Sequence, residues 1–278
     1  MLDRALRKLR DGFISIAYPT SCHICSRQIE SIEDGVACSP CWNDETITRL
    51  LKGDSSTCSK CGGPASPGTR LAPSSDADSE PGSSGQCSCG SCTAAPFTFA
   101  RSCGAYGGAL EASILFLKSN PHICTRLRRL LRETGFRYRE ELAADVVVPV
   151  PLHRLRERGR GFNQAKIIAR AVSEELRLPV DDRTLVRAKH TERHRAGMDA
   201  IDRQRSVAGA FEVVRPRCIE GASVLLVDDL YTTGSTIMSA AGALMKAGAS
   251  RISVLTIARV IPAASRPDVR ATNIRIVG

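Results

Sequence analysis

Two groups of residues in this chain have types and spacings that can do chemistry. The first is Asp228-Asp229, followed by Leu230-Tyr231-Thr232-Thr233-Gly234-Ser235-Thr236. A hydroxyl-rich loop with one glycine, placed where a helix opens, points free backbone N–H groups at an anion. Paired carboxylates would repel a bare phosphate. They suit vicinal hydroxyls beside a phosphate, as in a ribose 5-phosphate. The second group is the cysteines, nine of the twelve falling between positions 22 and 92. Cys22-x-x-Cys25 and Cys38-x-x-Cys41 form one quartet, with Gly35 and Pro40 supplying turn chemistry. Cys58-x-x-Cys61 is followed by Cys87, Cys89 and Cys92. A C-x-x-C turn aims two thiolates at one point, and two such turns give four tetrahedral sulfur ligands for zinc. In the second set Cys58, Cys61, Cys89 and Cys92 are the expected ligands, because Cys89 and Cys92 keep the spacing; Cys87 could exchange with Cys89. Four sulfurs leave no open position for water, so both sites read as structural. Disulfides or a redox thiol pair are the other readings. A reducing compartment disfavours the first, and three C-x-x-C turns in tandem disfavour the second. Cys103, Cys124 and Cys218 have no partner spacing.

The elements that must hold the aspartate loop are legible around it. Val224 to Val227 reads as a buried parallel strand, Ile237 to Lys246 as a helix ended by Gly248, and Ile252 to Ala258 as a second strand. In such β-loop-α-β units ligands bind outside the carboxyl ends of the strands. The thirteen residues from Val224 to Thr236 resemble the phosphoribosyl-pyrophosphate (PRPP) loop of type I phosphoribosyltransferases. The resemblance implies that Asp228 and Asp229 bind the ribose 2- and 3-hydroxyls, as the catalytic pair, acting by positioning and electrostatics. It implies that Thr232, Thr233, Gly234, Ser235 and Thr236 cradle the 5-phosphate. The bland alternative is an ordinary strand-turn-helix with a solvated aspartate pair. No G-x-x-x-x-G-K-[ST] occurs and no G-x-G-x-x-G follows a strand, which argues against a P-loop NTPase and a dinucleotide fold.

A second anion site is expected upstream. Asp145 to Pro151 reads as a buried strand stopped by prolines. Directly after it Arg154, Arg156, Arg158 and Arg160 alternate with other residues, with Gly159 and Gly161 among them, and a helix begins near Asn163. Residues 97–118 read as a short strand, a turn at Gly107-Gly108 and a helix ending in Lys118; Arg126 to Tyr138 reads as a basic helix. The order of these features resembles the ComF family: cysteine knuckles, Leu117-Lys118, Val148-Pro149-Val150-Pro151, Arg160-Gly161-Phe162-Asn163-Gln164, then the Asp-Asp-Thr-Thr-Gly loop. The resemblance runs from about Ser21 to Val260. It implies an α/β fold, with a type I phosphoribosyltransferase-like parallel-sheet core behind a small N-terminal zinc module. It implies that Pro149, Val150, Pro151 and Arg154 form the pyrophosphate loop, with Arg158, Arg160 and Lys118 joining the substrate site and Mg²⁺ accompanying PRPP. It also implies a role in DNA uptake during natural transformation beside a helicase-like competence protein. Members usually carry a Gln after the central helix and an Asn before Gly-x-Phe; His194 and Ser206 stand nearest those places here, the latter ahead of Gly209-Ala210-Phe211. Lys189 to Arg205 would form a mobile flap.

The expected division is 1–95, an N-terminal helix and zinc module, and 96–278, the phosphoribosyltransferase-like domain. Within the first, residues 62–86 read as a disordered insertion, because 22 of those 25 are Gly, Pro, Ala, Ser, Thr, Asp or Glu. Leu2, Leu6, Leu9, Phe13 and Ile16 recur at helical spacing, as an amphipathic helix or a membrane-surface anchor. No run of eighteen apolar residues and no signal-peptide core occur, which leads to an expected cytoplasmic location without a membrane span. Charge is lopsided: residues 1–100 carry a net −2 and residues 101–278 a net +12. That excess suits phosphorylated ligands or single-stranded DNA. The expected function is PRPP or ribose 5-phosphate binding, with displacement of pyrophosphate by a base if the protein is an enzyme. The rivals are a non-catalytic single-stranded-DNA-handling accessory protein and a PRPP sensor.

Overall fold

The computed structural model of the protein describes residues 20–44, 57–64, 89, 92, 94–188 and 209–261. The expected N-terminal helix, Cys87, the Lys189–Arg205 flap and all but the first residues of the 62–86 segment lie outside these. The architecture is α/β, built on a wholly parallel four-stranded sheet. The strands are β1 (Phe99–Ser102), β2 (Val146–Pro149), β5 (Ser223–Tyr231) and β6 (Arg251–Arg259), in the order β1-β6-β5-β2. A separate antiparallel pair, β3 (Leu185–Arg187) and β4 (Phe211–Val213), packs beside it.

Alternation along the strands feeds two apolar layers. Val147, Leu225, Val227, Leu255 and Ile257 face one, with α2 (Gly108–Phe116), α3 (Thr125–Arg137) and α5 (Gln164–Leu176). Val148, Leu226, Val224, Ile252 and Val254 face the other, with α6 (Ser235–Lys246) and the β3–β4 pair. Each layer also takes in one cysteine quartet. Cys22 and Cys38, beside the single turn α1 (Ser39–Trp42), join the first, and Cys58, Cys61, Cys89 and Cys92 join the second. The free edge of β1 is covered by the second quartet, Ala100 N–H donating to the Lys60 carbonyl at 2.8 Å, which blunts an otherwise unpaired edge.

Two details differ from the sequence expectation. Arg154 to Arg160 is itself a helix, α4, whereas the sequence places the start of a helix only near Asn163. The His153 side chain accepts from Leu155 N–H at its start, and Gly161 closes it in the left-handed conformation at φ 84°. Without an apolar stripe this helix left no periodic mark. Further, β5 does not stop before the aspartates. It continues through them to Tyr231, because β6 stays in register alongside, Asp228 opposite Thr256 and Tyr231 opposite Arg259.

The site lies where helices leave in opposite directions. β2 leads through α4 into α5 on one face, whereas neighbouring β5 leads into α6 on the other. The crevice outside their carboxyl ends is a topological switch point, where open parallel sheets take ligands.

Candidate functional site at the strand ends

Asp228 and Asp229 lie in the C-terminal part of β5 beside the end of β2, where Val150 N–H donates to the Val227 carbonyl at 2.9 Å. The Asp229 N–H donates to the Asp228 carboxylate at 2.9 Å. Burial, reinforced by the neighbouring Asp229 charge, pushes the Asp228 carboxyl well above the ordinary range; the Arg187 guanidinium opposes this only partly. Asp229 is also raised by burial, and Lys118 and Arg160 pull it back. The fold therefore gathers cations from three elements around the pair: Lys118 after α2, Arg160 on α4 and Arg187 on β3. Tyr106 faces the same place, its hydroxyl pushed up to about 12 by burial, the Glu111 carboxylate and Asp229.

The loop after β5 turns sharply. Gly234 sits at φ 79° as the N-cap of α6. A Cβ there would come within 2.5 Å of the Tyr231 hydroxyl, so both conformation and space demand glycine. The Thr233 and Ser235 hydroxyls are 2.7 Å apart, and Met238 N–H closes the first helical turn onto the Gly234 carbonyl. Thr232 is exposed, Thr233 and Thr236 are half-buried, and Ser235 is buried. Backbone N–H groups at this helix start, with these hydroxyls, can receive an anion.

On the β2 side, Pro149, Val150 and Pro151 are buried and lead into α4. The Asn163 side chain fixes that turn: its amide donates to the Val150 carbonyl at 3.0 Å and its oxygen caps α5 at Ala165 N–H. Helical geometry sorts the four arginines. Arg154 and Arg158, one turn apart, are exposed; Arg156 and Arg160, also one turn apart, are half-buried. Arg160 is held by the Gln164 side chain, whose amide reaches the Ile114 carbonyl at 3.5 Å. Arg187 and Tyr106 are functional candidates that the sequence reading passed over. A three-residue strand and a lone tyrosine carry no pattern; only their meeting with the aspartates marks them.

The cysteines gather into two quartets, Cys22, Cys25, Cys38, Cys41 and Cys58, Cys61, Cys89, Cys92, each with its sulfurs within 4.8 Å of one another. Individual S···S separations include 3.8 Å and 3.5 Å in the first and 3.4 Å in the second. Tetrahedral zinc with bonds of about 2.3 Å needs sulfurs about 3.8 Å apart, so both sets could hold it. In each quartet one thiol, Cys22 or Cys58, is drawn down to about 7: burial opposes this, but backbone N–H groups aimed at the sulfur outweigh it. Burial, their hydrogen-bonded partners and the neighbouring charge push Cys41, Cys61 and Cys92 up, a conflict that a central cation removes. Cys103 and Cys124 are buried and Cys218 is exposed.

No protein-family model matches the chain. It is 36% identical over 116 residues to competence protein F of Haemophilus influenzae, covering 41% of this chain and 50% of that one. The competence protein ComFC of Bacillus subtilis is 32% identical over 115 residues, 41% of this chain and 44% of that one. The matched segment thus spans about half the length of these relatives. The DNA utilization protein YhgH of Escherichia coli strain K12 is 27% identical over 258 residues, 88% of this chain and 100% of that one. Among solved structures, a hypoxanthine phosphoribosyltransferase from Staphylococcus aureus is similar over 52% of this chain and 68% of that one, at 14% identity and TM-score 0.33. No helix among the described residues is long and apolar enough to cross a membrane. With the parallel sheet and the two cysteine quartets in place, the chain is a homologue of competence protein F, ComFC and the DNA utilization protein YhgH.

Proposed function

We propose that the protein binds the ribose 5-phosphate portion of PRPP at the ends of β5 and β2 and acts as a phosphoribosyltransferase-like protein in DNA uptake. The observation that carries this reading is the half-buried Asp228–Asp229 pair, with Lys118, Arg160 and Arg187 gathered around it, just before the loop that opens a hydroxyl-lined helix start. Asp228 and Asp229 accept hydrogen bonds from the ribose 2- and 3-hydroxyls. Thr232 to Thr236 donate to the 5-phosphate. Pro149, Val150, Pro151 and Arg154 border the pyrophosphate, with Arg158 at the rim and Lys118 and Arg160 closer in. In transfer, the bond from the anomeric carbon to pyrophosphate breaks and a bond to a base nitrogen forms, and these cations stabilise the charge growing on the leaving oxygens. The carboxylates are hard oxygen donors that suit Mg²⁺, which when bound with PRPP neutralises pyrophosphate charge. Zinc held by the two quartets is structural. Residues 1–95 form the zinc-bearing part and 96–278 the transferase-like part of a cytoplasmic protein.

A second reading has its own support: the exposed Arg154–Arg158 face of α4, within residues 101–278 of net charge +12, suits phosphate-led contact with single-stranded DNA beside a helicase-like partner.

Calorimetric titration of ribose 5-phosphate and PRPP with Mg²⁺ tests the main reading. Asp228→Asn and Asp229→Asn each weaken binding about ten- to a hundredfold, the loss of a hydrogen bond to a charged group. Stability moves the other way. A carboxyl raised in the folded state binds its proton more tightly folded than unfolded. Folding stability therefore falls as pH rises from the unfolded value through the raised one. At neutral pH Asp228→Asn removes that cost and raises Tm by about 2–4 °C for each kcal/mol relieved. A variant that binds as the parent does, or a parent that binds neither ligand, overturns the reading.

A further inference from the structure

Arg259 ends β6 and is only 9% exposed. Its Nη1 donates to the Cys61 carbonyl at 2.9 Å and its Nη2 to the Cys61 sulfur at 3.4 Å. The same guanidinium lies 4.0 Å from the centre of the Tyr231 ring. Tyr231 is its register partner across β5–β6, and Val260 N–H donates to the Tyr231 carbonyl at 2.8 Å. The Tyr231 hydroxyl in turn abuts Gly234, where the loop becomes α6. One run of contacts therefore joins the second cysteine quartet to the loop: Cys61, Arg259, Tyr231, Gly234. Gly63 leaves room for it, since a Cβ there would meet the guanidinium at 2.6 Å.

A buried guanidinium is costly unless paired. A metal-ligating thiolate keeps negative charge and commonly takes a hydrogen bond from outside the ligand set, which fixes its orientation. We propose that Arg259 is a positioning residue that makes anion binding at the Thr232–Thr236 loop depend on metal in the second cysteine quartet. The inference rests on reading that loop as a 5-phosphate site. With the Cys61 sulfur fixed by a metal ion, the guanidinium is held over the Tyr231 ring, and the ring holds the turn at Gly234. With the quartet emptied, nothing fixes the Cys61 sulfur, Arg259 loses its anchored partner, and the ring loses its fixed neighbour. The first quartet packs instead against α2 and α3, where Gly35 meets Cys124.

The test is a thermodynamic cycle on the full chain, titrating ribose 5-phosphate with Mg²⁺. The proteins are the parent, Cys58→Ser, Arg259→Met, their double variant, and Cys25→Ser as control. Zinc content and circular dichroism accompany each. Cys58→Ser should lose one zinc and bind about tenfold more weakly, within the usual range of coupling between sites. Arg259→Met should show a similar loss while keeping both ions, and the double variant should be no weaker than the weaker single. Cys25→Ser should lose one zinc without change in affinity. A folded Cys58→Ser protein that binds as the parent does, or losses that multiply in the double variant, overturns the proposal. Should Cys58→Ser not fold, Tyr231→Leu carries the test: it should keep both ions and still bind more weakly, and unchanged affinity overturns the coupling. If the parent binds no sugar phosphate, it is the ligand reading that fails. Hydrogen exchange over 231–236 then reads the coupling directly: faster exchange in both Cys58→Ser and Arg259→Met supports it, and unchanged exchange overturns it.

Discussion

Cys22, Cys25, Cys38 and Cys41 lie against the layer that holds α2, α3 and α5, and two of the four are only half-buried. Cys58, Cys61, Cys89 and Cys92 lie against the opposite layer, and all four are buried. The manner of seating differs too. The first quartet is seated mainly by packing: Trp42 is buried, its indole N–H on the Asp34 carbonyl, and Gly35 at φ 67° rests against Cys124, with one cation, Arg126, on the Asn43 side chain. A cleft of about 380 Å³ opens along this junction, lined by Ile29, Ile32, Phe116, Leu117 and His122 among others. The second is held by cations. Arg259 reaches Cys61, Arg101 reaches the Ser59 carbonyl while lying 3.8 Å over the Phe99 ring, and Lys60 reaches the Ala95 carbonyl. Two copies of one ligand motif thus serve different ends. The first staples helices, whereas the second is joined to the ends of the strands that carry the aspartates.

Breaking the second quartet should therefore cost more. Cys58→Ser should destabilise the protein by roughly 4–5 kcal/mol, the range reached when a buried metal site is lost, and Cys25→Ser by about 2–3 kcal/mol. Thermal melts at matched zinc concentration measure both, and equal losses would erase the distinction. Next in size is Gly35→Ala. Its Cβ would lie 2.5 Å from the Cys124 Cβ at a positive φ, so stability should fall by about 1–3 kcal/mol. Affinity for sugar phosphate should be untouched, because Gly35 rests against Cys124 at the start of α3 rather than on β5 or α6; a parallel loss of binding would show that both quartets reach the loop. The smallest effect belongs to removal of residues 65–84. That stretch offers almost no apolar side chains, and shortening a loop changes its closure entropy by only about 0.6 kcal/mol per halving. Zinc content should stay near two per chain and Tm should move little, and loss of one zinc on deletion would overturn this.

Much of the arrangement was legible in the residue order. Val224 to Val227, the hydroxyl loop and the Ala-rich helix read directly as β5, turn and α6, because one buried strand and one glycine-punctuated turn leave few alternatives. Spacing alone picked Cys89 and Cys92, and the structure puts both beside Cys58 and Cys61. Gly35 read correctly as a turn residue. What stayed hidden was held by partners far away in sequence. α4 has no apolar face and depends on a histidine cap and a left-handed glycine. β5 extends through two aspartates only because β6 pairs with them. Arg187 and Tyr106 gain meaning from where β3 and the Gly107 turn are packed. The contact between Arg259 and Cys61 spans 198 residues, a separation over which no local pattern survives.

That last separation also bears on the order of events while the chain is being made. The seat of the first quartet, α2 and α3, is complete once residue 137 has been synthesised. Cys58 to Cys92 emerge early but gain the Arg259 contact only when β6, near the end of the described chain, has paired with β5. Parallel pairing over such distances is slow to form, and domains assemble as they leave the ribosome at about 5–20 residues per second. For that interval four thiols that end up buried stand open to oxidation or wrong pairing. Early capture of a metal ion would protect them and hand β6 a preformed surface to close upon.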